Sequence, residues 1–141
     1  MLLALDIGNS NISMGVFQGE RLLLRGKISA QIGRSADEYA AILNDLLRLE
    51  GVERRRLEGC ILSSVVPTLT GLLEGAVRRL TDAPLVRVGP GLRTGFRIRI
   101  DDPSQLGGDL VADTLAALEL YGPPLVLIDA GTVTTVAAVD R

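Results

Sequence analysis

The stretch LDIGNSN, residues 5–11, follows a start of only four other residues and interrupts an apolar run, with Leu2, Leu3, Ala4 and Leu5 leading in and Ile12, Met14, Val16 and Phe17 leading out. An acid, a glycine and three small polar residues at such a place read as a hairpin turn, with residues 2–6 as a buried strand and 12–17 as its partner. The pattern D-x-G-[NT]-x-[NT] returns in IDAGTVTT, residues 128–135, so that Asp6, Gly8, Asn9 and Asn11 align with Asp129, Gly131, Thr132 and Thr134. Such a turn presents backbone N–H groups and small polar side chains to an anion, and glycine permits close backbone approach. An aspartate at a strand end offers a hard oxygen to hydrated Mg²⁺. Two such turns facing one another are expected to grip a polyphosphate from both sides. The plainer alternative is two tight hairpins and nothing more, because Gly, Asn, Asp and Ser dominate turns in general. The duplication favours the ligand reading.

Outward from the first turn, QGE (18–20) predicts a second turn and RLLLRGKIS (21–29) a third strand, which makes an antiparallel meander. ADEYAAILNDLLRLEG then places Tyr39, Ile42, Leu43, Leu46 and Leu47 at helical spacing, with Ser35 as the cap and Gly51 at the stop. GCILSSVV (59–66) reads as a fourth strand, and Pro67 begins a helix to about residue 81. PLVRV (84–88) reads as a fifth strand, FRIRI (96–100) as an edge strand, 105–121 as a helix and PLVLIDAG (124–131) as a buried strand entering the second turn. Short turns first and helical crossovers afterwards predict a mixed five-stranded sheet of order 3-2-1-4-5, with strands four and five parallel to strand one. The repeat divides the chain into a domain over 1–122 and the opening hairpin of a second, truncated domain over 123–141. A hairpin without its sheet is expected to expose apolar surface.

The composition narrows the chemistry. The chain has 141 residues, 47% apolar and 23% charged, enough to build a core and too apolar for a disordered segment. Its net charge of −2 and scattered basic residues give no electrostatic case for nucleic acid or an anionic membrane. Arg54, Arg55 and Arg56, between Glu53 and Glu58, read as a solvated turn. The absence of histidine removes imidazole bases, Ser-His-Asp triads and His-ligated metals together. The single cysteine, Cys60, lies in an apolar run and reads as a buried small residue. The apolar start is short, lacks a basic flank and runs into Asp6, unlike a secretory signal, and no segment approaches a membrane span. A soluble cytoplasmic protein is therefore expected.

DIGNSN from residue 6, SADEY at 35–39, SSVVP at 63–67, VGPGLRTG at 88–95, GGD at 107–109, ELYG at 119–122 and DAGTVTT at 129–135 together resemble the type III pantothenate kinases. These belong to the superfamily of acetate and sugar kinases, heat-shock chaperones and actin, built from duplicated ribonuclease H-like domains. The resemblance implies ATP-dependent phosphorylation of pantothenate to 4'-phosphopantothenate, the first step of coenzyme A biosynthesis. It also implies Mg²⁺, a monovalent cation (K⁺ or NH₄⁺) and a homodimer, with no nucleic acid or membrane partner. By this resemblance Asp6 is the metal-side carboxylate, and Gly8, Asn9, Ser10 and Asn11 form the first phosphate turn. Asp129, Gly131, Thr132 and Thr134 form the second phosphate or cation turn, with Asp129 as its metal ligand. Asp109 is the general base, and Gly107 and Gly108 belong to the pantothenate pocket.

A carboxylate that accepts or orients a hydroxyl proton suits phosphoryl transfer, where positioning and charge neutralisation dominate. Asp109 also reads simply as a first-turn helix acid stabilised by the dipole. One departure matters: the family usually has Gly-Ala-Asp-Arg where this chain has Gly107, Gly108, Asp109 and Leu110. An arginine binds a carboxylate substrate bidentately and a leucine does not. Leu110 thus keeps two other readings open, a superfamily kinase for another hydroxyl and a non-catalytic nucleotide- or partner-binding regulator. Ser10 for a common Thr and Ala130 for a common Phe are milder differences. A chain carrying one half of the duplicated pair is expected to show little turnover alone.

Overall fold

Alternation of apolar and polar residues shapes the first sheet. In β1 (Leu2–Ile7) the side chains of Leu3, Leu5 and Ile7 are buried, while Leu2 and Asp6 are exposed. In β2 (Asn11–Gln18) Ile12, Met14 and Val16 are buried, and β3 (Arg21–Ser29) adds Leu24 to the same core. The computed structural model describes residues 1–89, 92–95, 97–99, 107–131 and 134–140. The chain divides into two compact units, Met1–Arg87 and Val88–Arg141.

In the first unit the meander leads into α1 (Ala36–Leu49), a single 3-10 turn (Arg54–Arg56), β4 (Gly59–Ser64), α2 (Pro67–Leu80) and β5 (Leu85–Arg87). The sheet order is β3-β2-β1-β4-β5, with β1–β2 and β2–β3 antiparallel and β1–β4 and β4–β5 parallel, as the crossover argument requires. One face of the sheet joins a single apolar cluster with Tyr39, Leu43 and Leu47 of α1 and Leu69, Leu73 and Val77 of α2. Ser35 caps α1 through a capping box: its Oγ accepts from Glu38 N–H at 3.2 Å, and Glu38 Oε2 accepts from Ser35 N–H at 2.7 Å. Tyr39, fully buried, spends its hydroxyl on one neighbour, accepting from Gln31 N–H at 2.8 Å and donating to Gln31 O at 2.9 Å. Pro67 occupies the first turn of α2, where its missing N–H leaves no bond unmade. Cys60 is buried as expected, and burial pushes its thiol pKa up. The arginine triplet forms the exposed 3-10 turn, with Arg55 paired to Glu53.

The second unit contains α3 (Gly108–Tyr121) and the antiparallel hairpin of β6 (Leu125–Ala130) and β7 (Thr134–Val139), with α3 packed against β6. Gly107 caps α3 and Gly122, at φ 68°, ends it with its N–H bonded to Leu118 O at 3.0 Å. Three expectations are corrected here. Residues 97–99 of the expected edge strand are irregular and exposed. Phe96 and Ile100, its two ends, lie outside the described residues, and alternation alone does not supply a partner's backbone groups to bond. The helix begins at Gly108, and residues 105 and 106 lie outside the described residues. The strand expected to be buried over 124–131 is half-buried on one face and exposed on the other, because it belongs to a two-stranded sheet. Val126, Ile128 and Val136 are about two-thirds exposed, at 67%, 67% and 66%.

Candidate functional site

The first turn is built tightly. Strand pairing runs to Ile7 and Ile12, which leaves Gly8, Asn9, Ser10 and Asn11 to reverse the chain, and Asn11 already pairs with Ser29 of β3. Gly8 N–H donates to Asn11 O at 2.9 Å, and Ala30 N–H donates to Ser10 O at 3.0 Å. A Cβ on Gly8 would sit 3.2 Å from Asn11 O, so the close approach favours glycine here. Asn9, Ser10 and Asn11 are exposed at the tip.

Asp6 stands next to this turn on the sheet face opposite the helical core, since Leu5 and Ile7 on either side of it point into that core. Its antiparallel partner is Ser13, whose own partner on β3 is Lys27, and its parallel partner on β4 is Ser63. In-register partners share a sheet face, so Lys27, Ser13, Asp6 and Ser63 form one polar row across four strands. Ser63 is 6% exposed, and among the described residues its Oγ has no hydrogen-bond partner. Its neighbour Ser64 is fully engaged, accepting from Val66 N–H at 3.1 Å and from the Thr70 hydroxyl at 2.9 Å.

The second unit gathers the other acids. Asp109 lies in the first turn of α3, where its Oδ1 accepts from Leu110 N–H at 2.7 Å. Asp129 on β6 pairs with Thr135, on the half-buried face of the hairpin. Asp113, one helical turn beyond Asp109, responds to both. Asp113 is exposed on α3, yet its carboxyl pKa is raised, first by partial desolvation, then by the charges of Asp129 and Asp109. Asp113 escaped the sequence reading, although its spacing of four from Asp109 on a helix carried the signal. Ser63 escaped too, because a serine within a strand does not declare that it lacks a partner.

The second turn differs from the first by one residue in its pairing: Ala130 pairs with Thr134, where Ile7 pairs with Ile12 in the first. Gly131 is exposed, Thr134 is the first residue of β7, and Thr132 lies outside the described residues. Gly107 is half-buried and Gly108 is buried at the start of α3, with Leu110 half-buried beside Asp109. Among the described residues, no three His, Cys, Asp or Glu side chains are arranged to hold a metal ion. A hollow of about 880 Å³ near the ends of α1 and α2, lined in part by Arg48, Arg54, Arg55 and Arg79, contains none of these site residues.

The fold is thus a mixed α/β sheet of order 3-2-1-4-5 with flanking helices, the arrangement expected of a ribonuclease H-like domain. A sequence model of the type III pantothenate kinases matches residues 2–141. The type III pantothenate kinase of Moorella thermoacetica is 41% identical over 142 aligned positions, covering 100% of this chain and 56% of that protein. The type III pantothenate kinase of Geobacter sulfurreducens is 42% identical, covering 100% of this chain and 55% of that protein. A solved ROK hexokinase from Thermus thermophilus overlaps 61% of this chain and 34% of its own, at 25% identity and a TM-score of 0.43, too slight a likeness to carry weight. The chain belongs to the type III pantothenate kinase family. It spans just over half the length of the curated relatives it matches.

Proposed function

We propose that the whole protein transfers the γ-phosphoryl group of ATP to the primary hydroxyl of pantothenate, the first step of coenzyme A biosynthesis. The observation that carries this reading is the family match along residues 2–141. In the proposed step the pantothenate oxygen attacks the γ-phosphorus and the bond from that phosphorus to the β–γ bridging oxygen breaks. The hydroxyl proton passes to the Asp109 carboxylate, and ADP leaves. Asp6 with Gly8, Asn9, Ser10 and Asn11 takes the phosphate and metal side of ATP. Asp129, Gly131, Thr132 and Thr134 form the second phosphate or cation turn, and Gly107 and Gly108 shape the pantothenate pocket.

The residues around Asp6 suit Mg²⁺. This ion keeps several waters and needs only one or two carboxylates, and Asp6 offers one such group beside serine hydroxyls. Bound there, Mg²⁺ would neutralise phosphate charge. A monovalent cation at Asp129, a homodimeric assembly and a cytoplasmic location complete the proposal. No helix among the described residues is long and apolar enough to cross a membrane. In the domain reading, residues 1–122 form the first ribonuclease H-like domain and 123–141 open the second.

A coupled assay of ADP release with pantothenate tests the reading. Pantothenate-dependent turnover by the full-length protein, lowered about a thousandfold by Asp109→Asn, is expected. Pantothenate-independent ADP release alone would overturn it. The 141-residue chain by itself is expected to turn over little.

Leu110 favours a second reading, a kinase for another hydroxyl or a non-catalytic regulator, because leucine gives the pantothenate carboxylate no bidentate partner. A panel of vitamin and sugar acceptors separates the first of these from pantothenate kinase. Nucleotide binding without turnover on any acceptor identifies the second.

A further inference from the structure

We infer that Ser63 is a positioning residue for Asp6: its hydroxyl donates to the Asp6 carboxylate when a Mg²⁺-nucleotide loads beside the first turn. The inference rests on the kinase reading above and adds a residue to it.

Three observations support it. Ser63 is 6% exposed, yet among the described residues its Oγ has no partner. A buried hydroxyl left unpaired is unfavourable and uncommon, and alanine would occupy the same strand position without it. Packing alone therefore gives no reason for the serine. Secondly, Ser63 is the in-register parallel partner of Asp6, so the two residues share a sheet face on adjacent strands. Thirdly, both lie near the carboxyl ends of parallel neighbours, where open α/β sheets bind their ligands.

Ser64 supplies an internal contrast. Its hydroxyl is consumed in bonds to Val66 and Thr70 that hold the entry to α2. The adjacent serines thus divide their work: one secures the fold and the other is left available. A hydroxyl bonded to a metal-binding carboxylate fixes its orientation, and loss of such a partner typically weakens metal affinity 10–100-fold. No bond is made or broken covalently, and Ser63 keeps its proton throughout.

The test compares full-length protein with its S63A variant by thermal unfolding without ligand. Calorimetric titration with ATP follows, in the presence and absence of Mg²⁺. S63A is expected to melt at the same temperature or higher, because an unpaired buried hydroxyl has been removed. Its affinity for ATP with Mg²⁺ is expected to fall about tenfold, while its affinity for ATP without metal stays within about twofold. A lowered melting temperature makes the hydroxyl structural and overturns the inference. Unchanged affinity with Mg²⁺, or an equal loss without it, overturns it as well. Failure of the unsubstituted protein to bind ATP with Mg²⁺ is a different result, and it overturns the kinase reading itself.

Discussion

Asp129 of β6 reaches Asp113 of α3 within the second unit, and its charge helps to hold the Asp113 carboxyl above its ordinary range. The first cause of that shift is partial desolvation of a side chain that stays exposed, and Asp109 adds a third negative charge. The acid expected to act as base and the acid expected to face a cation thus share one electrostatic neighbourhood. This raises the functional interest of α3, because perturbed carboxyls concentrate at sites as well as in structural networks.

Replacing Asp113 tests this coupling through stability. A raised folded-state pKa means that the folded chain holds the proton more tightly than the unfolded chain. The favourable contribution is therefore present below the unfolded value, near 3.8, and is lost as pH rises through the higher folded value. Asp113→Asn removes that loss. The variant is expected to melt above the parent at pH 7, with the difference shrinking as pH falls toward 3.8. Thermal unfolding across that range reads it, and a parent more stable than the variant at pH 7 contradicts it.

The capping box of α1 predicts a simpler effect. Ser35→Ala removes the acceptor for Glu38 N–H and is expected to destabilise by about 1 kcal/mol. For a unit of this size that corresponds to a melting temperature lower by about 4–8 °C. Urea unfolding measures the free energy directly, and a change indistinguishable from zero removes the cap from the account.

Gly8→Ala tests the first turn. The new methyl would lie 3.2 Å from Asn11 O, which also receives the Gly8 N–H bond. The turn must shift to admit it, and ATP affinity is expected to fall about tenfold, equivalent to ~1.4 kcal/mol. Calorimetric titration of the full-length protein reads the change. Parental affinity in the variant would show that the turn does not meet the nucleotide.

Leu110→Arg addresses the departure from the family pattern. If pantothenate is the substrate, restoring a guanidinium should lower its KM about tenfold, since a charge-assisted hydrogen bond contributes roughly 1.5–3 kcal/mol. The KM for ATP should stay unchanged. A KM for pantothenate that does not move would show that residue 110 does not meet the carboxylate.

Cys60 provides a reporter of opening. It is buried on β4, with its thiol pKa pushed up by burial, and thiolate is the reactive form. A disulfide reagent is expected to react slowly with the native chain and stoichiometrically in denaturant. Rapid native modification would show that β4 opens readily.

Most of the first unit was legible in the sequence. Leu3, Leu5 and Ile7 alternate with polar or small residues, and short turns on either side of β2 leave only antiparallel pairing. The helical stretch before GCILSS forces the parallel crossover, so the strand order follows. Ser35 was legible as a cap because capping is local, contained within four residues. The paired D-x-G turns were legible as a repeat, but their one-residue difference in length was not. That difference depends on which backbone groups pair, Ile7 with Ile12 in one turn and Ala130 with Thr134 in the other. Within FRIRI, residues 97–99 are irregular, because alternation alone does not supply a neighbour to bond with.

By itself, the sequence determined the family, the strand order of the first sheet and the residue types at the two turns, because periodicity, turn chemistry and motif spacing are properties of short segments. Only the tertiary structure decided that Ser63, beside Asp6, lies buried with no partner among the described residues, that Asp113 feels Asp129, and that Val126, Ile128 and Val136 are exposed. Burial, hydrogen-bond satisfaction and electrostatic coupling depend on distances between atoms remote along the chain, and those distances exist only once the elements have packed.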